Sequence, residues 1–315
     1  MYKKFLLVLI LVFALWTQSG AGNPIPTSTS EVGYAIIGLV TNVPGSSGNT
    51  LEAPTVPVTL LDSNGNVIAS TTVSYQDNKY RFDNLLPGNY RIVYGDITKT
   101  KRIEKDVTVI DRDVIVPDVM FVTIGESIMF GGYKWIVLDI KDGKALIITE
   151  SAIACRPYNE TIVSVTWATC TLRTYLNGEF YNKFSDADKA RIIETNIIHK
   201  DNQLYGATGG LTTNDKIFLL SLEEVVLYFG DSGLWANRPT PTTELIDDSF
   251  NAERVDYTVK EFSYGSKRWN ANVAGWWWLR SPGRGGVYPA YVSSSARIWR
   301  VEMVACLRPA LWLNL

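Results

Sequence analysis

Between Thr55 and Val116 the apolar residues fall on alternate positions in short runs, and each run ends on a turn. Thr55-Val-Pro-Val-Thr-Leu-Leu61 reads as a strand, and Val67–Ser74 returns as its partner after Asp62-Ser-Asn-Gly65. Asn64-Gly65 predicts a primed hairpin turn, because both residues tolerate positive φ. Tyr80-Arg-Phe82 alternates, Leu86-Pro-Gly88 turns, and Tyr90–Tyr94 alternates again. Shorter strands fit Lys105–Ile110 and Asp113–Val116, and a first strand fits the region Val32–Asn42. Six or seven short strands at this spacing predict a small antiparallel sandwich over 33–119.

The pattern changes at Ile124. Tyr133–Ile140 is apolar on both faces, Asp142-Gly143 is a turn, and Lys144–Glu150 returns. A hairpin buried on both faces belongs at the centre of a larger domain. Thr171–Asn177, with Phe180 and Phe184, has helical spacing. Ser185–Asp188 caps a second helix carrying Ala190, Ile192 and Ile193. Ser221-Leu-Glu-Glu224 is a capping box ahead of Val225, Val226, Tyr228 and Phe229. Long irregular stretches, Ile198–Asp215 and Gly230–Trp269, lie between and after these helices. Residues 124–315 are therefore expected to form an α+β domain with much loop, and loops of this length usually carry function.

The N-terminus has a different pattern. Lys3 and Lys4 precede an unbroken apolar run from Phe5 to Trp16, followed by small residues around Ser19 and Ala21. This predicts a secretory signal over 1–21. Twelve apolar residues span only about 18 Å as a helix, too short for the roughly 30 Å hydrocarbon core. Pro, Thr and Ser dominate a linker over 22–32. The expected product is secreted or cell-surface exposed, with no membrane span once the signal is removed. The net charge of -2 excludes a strongly basic nucleic-acid binder. One histidine and three cysteines among 315 residues exclude a multi-histidine metal centre and a disulfide-dense scaffold.

Two resemblances follow from longer motifs. Asn78–Ile92 contains Tyr80, Phe82, Leu85, Pro87, Gly88 and Tyr90 in a YxFxxLxPGxY arrangement. It resembles the prealbumin-like sandwich modules of the collagen-adhesin B-type and carboxypeptidase-regulatory-like families. The resemblance implies an Ig/prealbumin-like all-β stalk or spacer. Some members carry a Lys–Asn isopeptide bond from the first strand; that strand region has no lysine here, so none is expected.

The second resemblance spans 124–315. It rests on Tyr133–Leu138, Val165-Thr-Trp167, Thr171–Asn177, Asp215–Ser221, Trp277–Gly283 and Leu307–Leu313. These motifs resemble the variable proteins of diversity-generating retroelements that have a formylglycine-generating-enzyme-like C-type lectin fold. In that family a reverse transcriptase rewrites codons for solvent-facing residues on a rigid scaffold. The rewritten stretch would run from Arg284 to Cys306. Arg284, Gly286, Tyr288, Tyr291, Ser293, Ser295, Arg297, Trp299, Arg300 and Glu302 would form the ligand-binding surface. Tyrosine, tryptophan and arginine are common hot-spot residues, and serine supplies adaptable hydrogen bonds. The stretch has no asparagine, a departure from the asparagine-rich stretches frequent in the family. Trp277, Trp278, Arg280, Arg308 and Trp312 would be scaffold, with both arginines satisfying loop carbonyls or a carboxylate.

The expected function is thus recognition of a protein or glycan ligand on another cell or a phage surface. A fixed glycan-binding adhesion module without diversification is the alternative, and an exported sugar-active enzyme comes third. No catalytic residue, metal site or cofactor is expected. Asp247, Asp248, Glu253 and Glu261 read as solvated loop acids. His199 reads as a surface cation after a helix end. Thr208–Asp215 is Gly-rich but lacks the Lys-Ser/Thr of a phosphate loop. Cys155 and Cys170 are expected to pair or to be buried, leaving Cys306 as the odd thiol.

Overall fold

The computed structural model describes residues 33–42, 55–99, 102–202, 205–229, 261–264, 267–270, 277–292 and 304–315. Gly33–Leu315 forms one compact unit. It opens with eight strands: β1 (Tyr34–Thr41), β2 (Thr55–Asp62), β3 (Val67–Ser74), β4 (Lys79–Leu85), β5 (Gly88–Tyr94), β6 (Ile103–Val109), β7 (Val114–Ile115) and β8 (Val119–Met120). One sheet has the order β3-β2-β5-β6, and the other has β4-β1-β7 with β8 also on β1.

Ile36, Val40, Val58, Leu60, Ile92 and Tyr94 are buried in the core of this sandwich. The Tyr80 and Tyr94 hydroxyls meet inside it at 2.7 Å, and burial pushes the Tyr80 phenol up to about 12. A Cβ on Gly38 would lie 2.2 Å from the Tyr80 hydroxyl, so only glycine fits opposite that ring. The YxFxxLxPGxY motif buries Tyr80, Phe82 and Leu85, while the Tyr90 hydroxyl donates to the Leu86 carbonyl at 2.7 Å.

Two details differ from the sequence expectation. The sandwich is not wholly antiparallel, because β7 and β8 both pair parallel to β1. The chain crosses from β6 in one sheet to the free edge of β1 in the other, and arrives running the same way. The 62–66 turn is also not a primed one. Gly65 has φ 86°, but Asn64 does not enter the positive-φ region. The Asp62 carboxylate accepts the amides of Asn64 and Asn66 at 2.8 Å each. That capture holds Asn64 at ordinary φ and leaves glycine alone in the left-handed region, with a register shift at Leu60–Leu61.

The remaining described chain builds a five-stranded sheet, a four-stranded sheet and two two-stranded ones, Thr195–Ile197 with Thr213–Asp215 and Glu261–Tyr264 with Lys267–Asn270. Its strands are β9 (Ser127–Phe130), β10 (Tyr133–Lys141), β11 (Lys144–Thr149), β12 (Ala154–Pro157), β13 (Ile192–Ile193), β14 (Thr195–Ile197), β15 (Thr213–Asp215), β16 (Glu261–Tyr264), β17 (Lys267–Asn270), β18 (Trp277–Gly285), β19 (Tyr288–Val292), β20 (Val304–Leu307) and β21 (Ala310–Asn314). The α-helices are α1 (Thr171–Tyr175), α2 (Asp186–Arg191) and α3 (Leu222–Phe229), with a π turn at Leu176–Phe180 continuing α1. The five-stranded sheet has the order β13-β21-β11-β10-β9, so β11 is central, as its continuous apolar run predicts. The β10–β11 turn is of the primed type, with Asp142 at φ 51° and Gly143 at φ 69°. A bulge after Val137 turns both Val137 and Leu138 inward.

The second helix is shorter than its sequence pattern suggests. It ends at Arg191, and Ile192–Ile193 pair with β21 instead. Two β-branched residues beside an open strand edge gain more from joining the sheet than from a further helical turn. The four-stranded sheet of this region has the order β12-β20-β18-β19. Trp135, Trp167, Trp277 and Trp278 are among the largest fully buried side chains and fill the core around these sheets. The sandwich and this region touch directly. Arg191 donates to the Met120 sulfur at 3.2 Å and to the Asn314 carbonyl at 3.1 Å.

Candidate functional site

The stretch Ile198–Asp215 looks irregular in sequence, yet its far end is a strand. β15 returns to β14, with Thr195 opposite Asp215 and Ile197 opposite Thr213. That pairing places His199, Thr213 and Asp215 together. The loop between them is folded back tightly. A Cβ on Gly209 would lie 2.3 Å from the His199 carbonyl oxygen, and the Gly209 amide donates to Asp201 at 2.8 Å. Glycine is needed here for close packing rather than for a phosphate.

Asp215 is fully buried and anchors the cluster. It accepts from Trp167 Nε1 at 2.7 Å, from Arg173 Nε at 2.6 Å and from the Thr213 hydroxyl at 2.7 Å. Thr213 Oγ1 also lies 2.9 Å from His199 Nε2. A hydroxyl has one proton to give, and this one goes to the carboxylate. Thr213 therefore accepts from His199, which fixes the Nε2–H tautomer. Burial, with the charge of Arg280 adding to it, holds the imidazole down at about 4. The ring is neutral near pH 7, so Nδ1 is a bare acceptor. That buried nitrogen has no partner.

His199 was expected to be a surface cation after a helix; it is a buried neutral ring after a strand, 9% exposed. The difference arises because β14 and β15 carry it into the interior, against Thr213.

His199 lines a cavity of about 380 Å³ with Asn196, Phe218, Glu224, Arg280, Ser281 and Trp312 among its walls. Arg280 is brought there by β18 and Glu224 by α3. Arg280 Nη2 donates to Glu224 Oε1 at 2.7 Å, Nη1 donates to Glu224 Oε2, and Nη1 also donates to the Leu219 carbonyl at 2.7 Å. Glu224 caps α3 at the same time, accepting the Ser221 amide at 2.9 Å. Arg280 Nε is left buried and without a partner. Two of the residues that line the cavity thus each keep a buried unsatisfied atom, an acceptor on His199 and a donor on Arg280. A group that both accepts and donates, such as a hydroxyl, complements the pair. Pockets of this size hold small ligands.

The residues expected to form a binding surface lie elsewhere. Arg284 is on β18 and Tyr291 on β19. Gly286 and Tyr288 sit at the turn between these strands and are half-buried. The Gly286 carbonyl accepts the Val165 amide at 2.9 Å, and a Cβ on Gly286 would lie 1.9 Å from Ser164 Oγ. Ser293, Ser295, Arg297, Trp299, Arg300 and Glu302 lie outside the described residues, as do Trp276 and the acids Asp247, Asp248 and Glu253.

The structure places the expected scaffold residues as follows. Trp277 and Trp278 are fully buried, with Trp278 Nε1 donating to the Arg156 carbonyl at 2.9 Å. Arg308 is 1% exposed, donates to the Thr149 carbonyl at 3.0 Å and lies 5.2 Å from the Trp277 ring centre. Arg280 and Trp312 are the exceptions to a purely core role, since both line the cavity. Cys155 and Cys170 are both buried, as one of the two expected alternatives had it. Cys155 faces Cys306 across β12 and β20, and Cys170 instead sits at the N-terminus of α1, its sulfur accepting the Arg173 amide at 3.4 Å. Among the described residues no three His, Cys, Asp or Glu side chains converge as a metal-binding group.

Comparison with known families separates the two regions. Residues 142–315, more than half of the chain, match the family described as a domain of unknown function, DUF6273. The chain belongs to the DUF6273 family. The cavity and both of its unsatisfied groups fall within the DUF6273 match. Residues 32–123 match the second β-sandwich domain of BOS complex subunit NOMO1-like proteins, in keeping with the N-terminal β-sandwich. Colossin-A of Dictyostelium discoideum is 47% identical over 49 residues, which is 16% of this chain and a share of that protein that rounds to 0%. The major pilin subunit of Bacillus cereus aligns over 28% of this chain and 30% of its own at 16% identity, with a TM-score of 0.19. No helix among the described residues is long and apolar enough to cross a membrane.

Proposed function

We propose that the DUF6273 domain of this chain is a recognition domain for a neutral polyhydroxylated ligand, a sugar ring above all, carried outside the cell behind its β-sandwich. The observation that carries the reading is that two residues lining one cavity, His199 and Arg280, each keep a buried polar atom without a partner, Nδ1 and Nε. A sugar hydroxyl, able to donate to the first and to accept from the second, is the kind of group that would satisfy them. Trp312 and Phe218 supply aromatic surface for the apolar faces of the ring, and Asn196 and Ser281 add polar edges. Recognition rather than turnover is favoured because Arg280 and Glu224 are engaged with each other and Asp215 with the fold. A glycan array probed with the exported chain tests this. Binding is expected to a restricted set of glycans and to weaken about tenfold or more in His199→Phe, which fills the volume but removes the acceptor. An array with no signal above background overturns the reading.

The retroelement-diversified lectin-type surface is the second reading. It is favoured by the two buried tryptophans of β18, which lead directly into the half-buried turn at Gly286–Tyr288. Sequencing the gene's 3' end across a clonal population tests it. Variation confined to codons 284–305, with 277–283 and 307–315 constant, supports diversification; an invariant stretch with no nearby template removes it.

A further inference from the structure

β12 is an edge strand of four residues whose described ladder is with β20 alone. In that ladder Cys155 lies directly opposite Cys306, and the two sulfurs are 2.7 Å apart. Directly opposed residues of an antiparallel pair have Cα atoms about 4.5–5.5 Å apart. Disulfides span Cα separations of about 4.4–6.8 Å, so the register brings the pair within bonding range without backbone movement. Both cysteines are buried. On its other side Cys306 pairs with Trp277 of β18, three residues before Arg280. Cys170 is occupied elsewhere, at the start of α1.

We propose that Cys155 and Cys306 are a cross-strand disulfide site, which fastens the edge strand β12 to the sheet that carries the cavity wall. The oxidant is an external disulfide, of the low-molecular-weight or oxidoreductase type. The thiolate of one cysteine attacks it, forms a mixed disulfide and releases one thiol. The second cysteine's thiolate attacks the protein sulfur of that mixed disulfide and releases the second thiol. Two protein thiols lose two electrons and two protons, and the external disulfide gains them. Burial of both sulfurs means that the exchange takes place during folding, before the strands close. The bond would close a loop of about 150 residues, for which chain-entropy arguments predict substantial stabilisation.

The test is thiol counting on the full chain refolded in a glutathione redox buffer, then denatured and alkylated with N-ethylmaleimide for intact-mass measurement. One adduct is expected without reductant, on Cys170, and three after reduction. Cys170→Ser is expected to give none, and Cys155→Ser or Cys306→Ser two each. The melting temperature is expected to fall by roughly 5–10 °C on reduction of the wild-type protein, and not in the Cys155→Ser/Cys306→Ser double variant. Three adducts on unreduced wild-type protein, or two adducts on unreduced Cys170→Ser, would overturn the proposal. Where a variant fails to fold, peptide mapping of the alkylated wild-type protein decides the matter, the single adduct being expected on the Cys170 peptide.

Discussion

His199 takes its character from where β14 and β15 put it. Burial, aided by Arg280 and Arg173, outweighs the opposing pull of Asp215 and Glu224, and the ring stays neutral down to about pH 4. An unfolded histidine titrates near 6.5. Between these values the unfolded chain binds the extra proton, so stability rises with pH across that window and is lost on acidification from about 6.5 to 4. The loss assigned to this ring is roughly 3 kcal/mol. Urea denaturation at a series of pH values checks it: His199→Gln should show a shallower decline than wild type over pH 4–6.5 and a parallel one above it. Asp215 is the more demanding residue, since Trp167, Arg173 and Thr213 all donate to it. Asp215→Asn removes the charge opposite Arg173, and a loss of about 3–5 kcal/mol is expected in the same assay. An unchanged midpoint would contradict the buried network. Little of this was legible in the sequence. The His-Lys-Asp triplet at 199–201 resembles a solvated loop, and the partners that bury His199 come from β15 and β18. The one available signal was its isolation as the chain's single histidine.

Elements set by local pattern were far easier to read. Alternation located β1 to β6 within a few residues, and the Ser221–Glu224 capping box forms as spaced. Reading failed where a distant partner decides. The second half of the expected α2 joins β21, and β7 and β8 run parallel to β1. The Asn64-Gly65 turn failed for a nearer reason, the capture of two amides by Asp62. Glycines give a sharp test at this scale. A Cβ on Gly65 meets nothing, so Gly65→Ala should cost about 1 kcal/mol from its positive φ alone. Gly38→Ala drives a methyl into the Tyr80 ring that locks the two sheets, and a loss of about 1–3 kcal/mol is expected. Urea midpoints that rank the two the other way would count against the Tyr80–Tyr94 contact as the sandwich's internal tie.

The whole molecule joins a β-sandwich to a DUF6273 domain in one compact unit. The sandwich stacks its two sheets around the Tyr80–Tyr94 contact. In the larger region Arg280 and Glu224 on the cavity wall are committed to each other, and Thr213 and Trp167 are committed to Asp215. Among the described residues that line the cavity, His199 and Arg280 each keep one buried polar atom without a partner. The described part of the stretch that the sequence singles out does not line this cavity. Arg284 lies on β18 and Tyr288–Val292 form the edge strand β19, whereas the cavity is walled by β14, α3, the first half of β18 and β21. Because the chain has one histidine, a single imidazole signal reports on the cavity without assignment ambiguity. The measurement that tests the account most directly is the nitrogen spectrum of that ring, recorded with and without a panel of neutral monosaccharides. The account predicts a neutral ring protonated on Nε2 at pH 6, with the Nδ1 signal moving in a saturable way on addition of at least one sugar. A ring carrying protons on both nitrogens at pH 6, or an Nδ1 signal that no sugar moves, would contradict it.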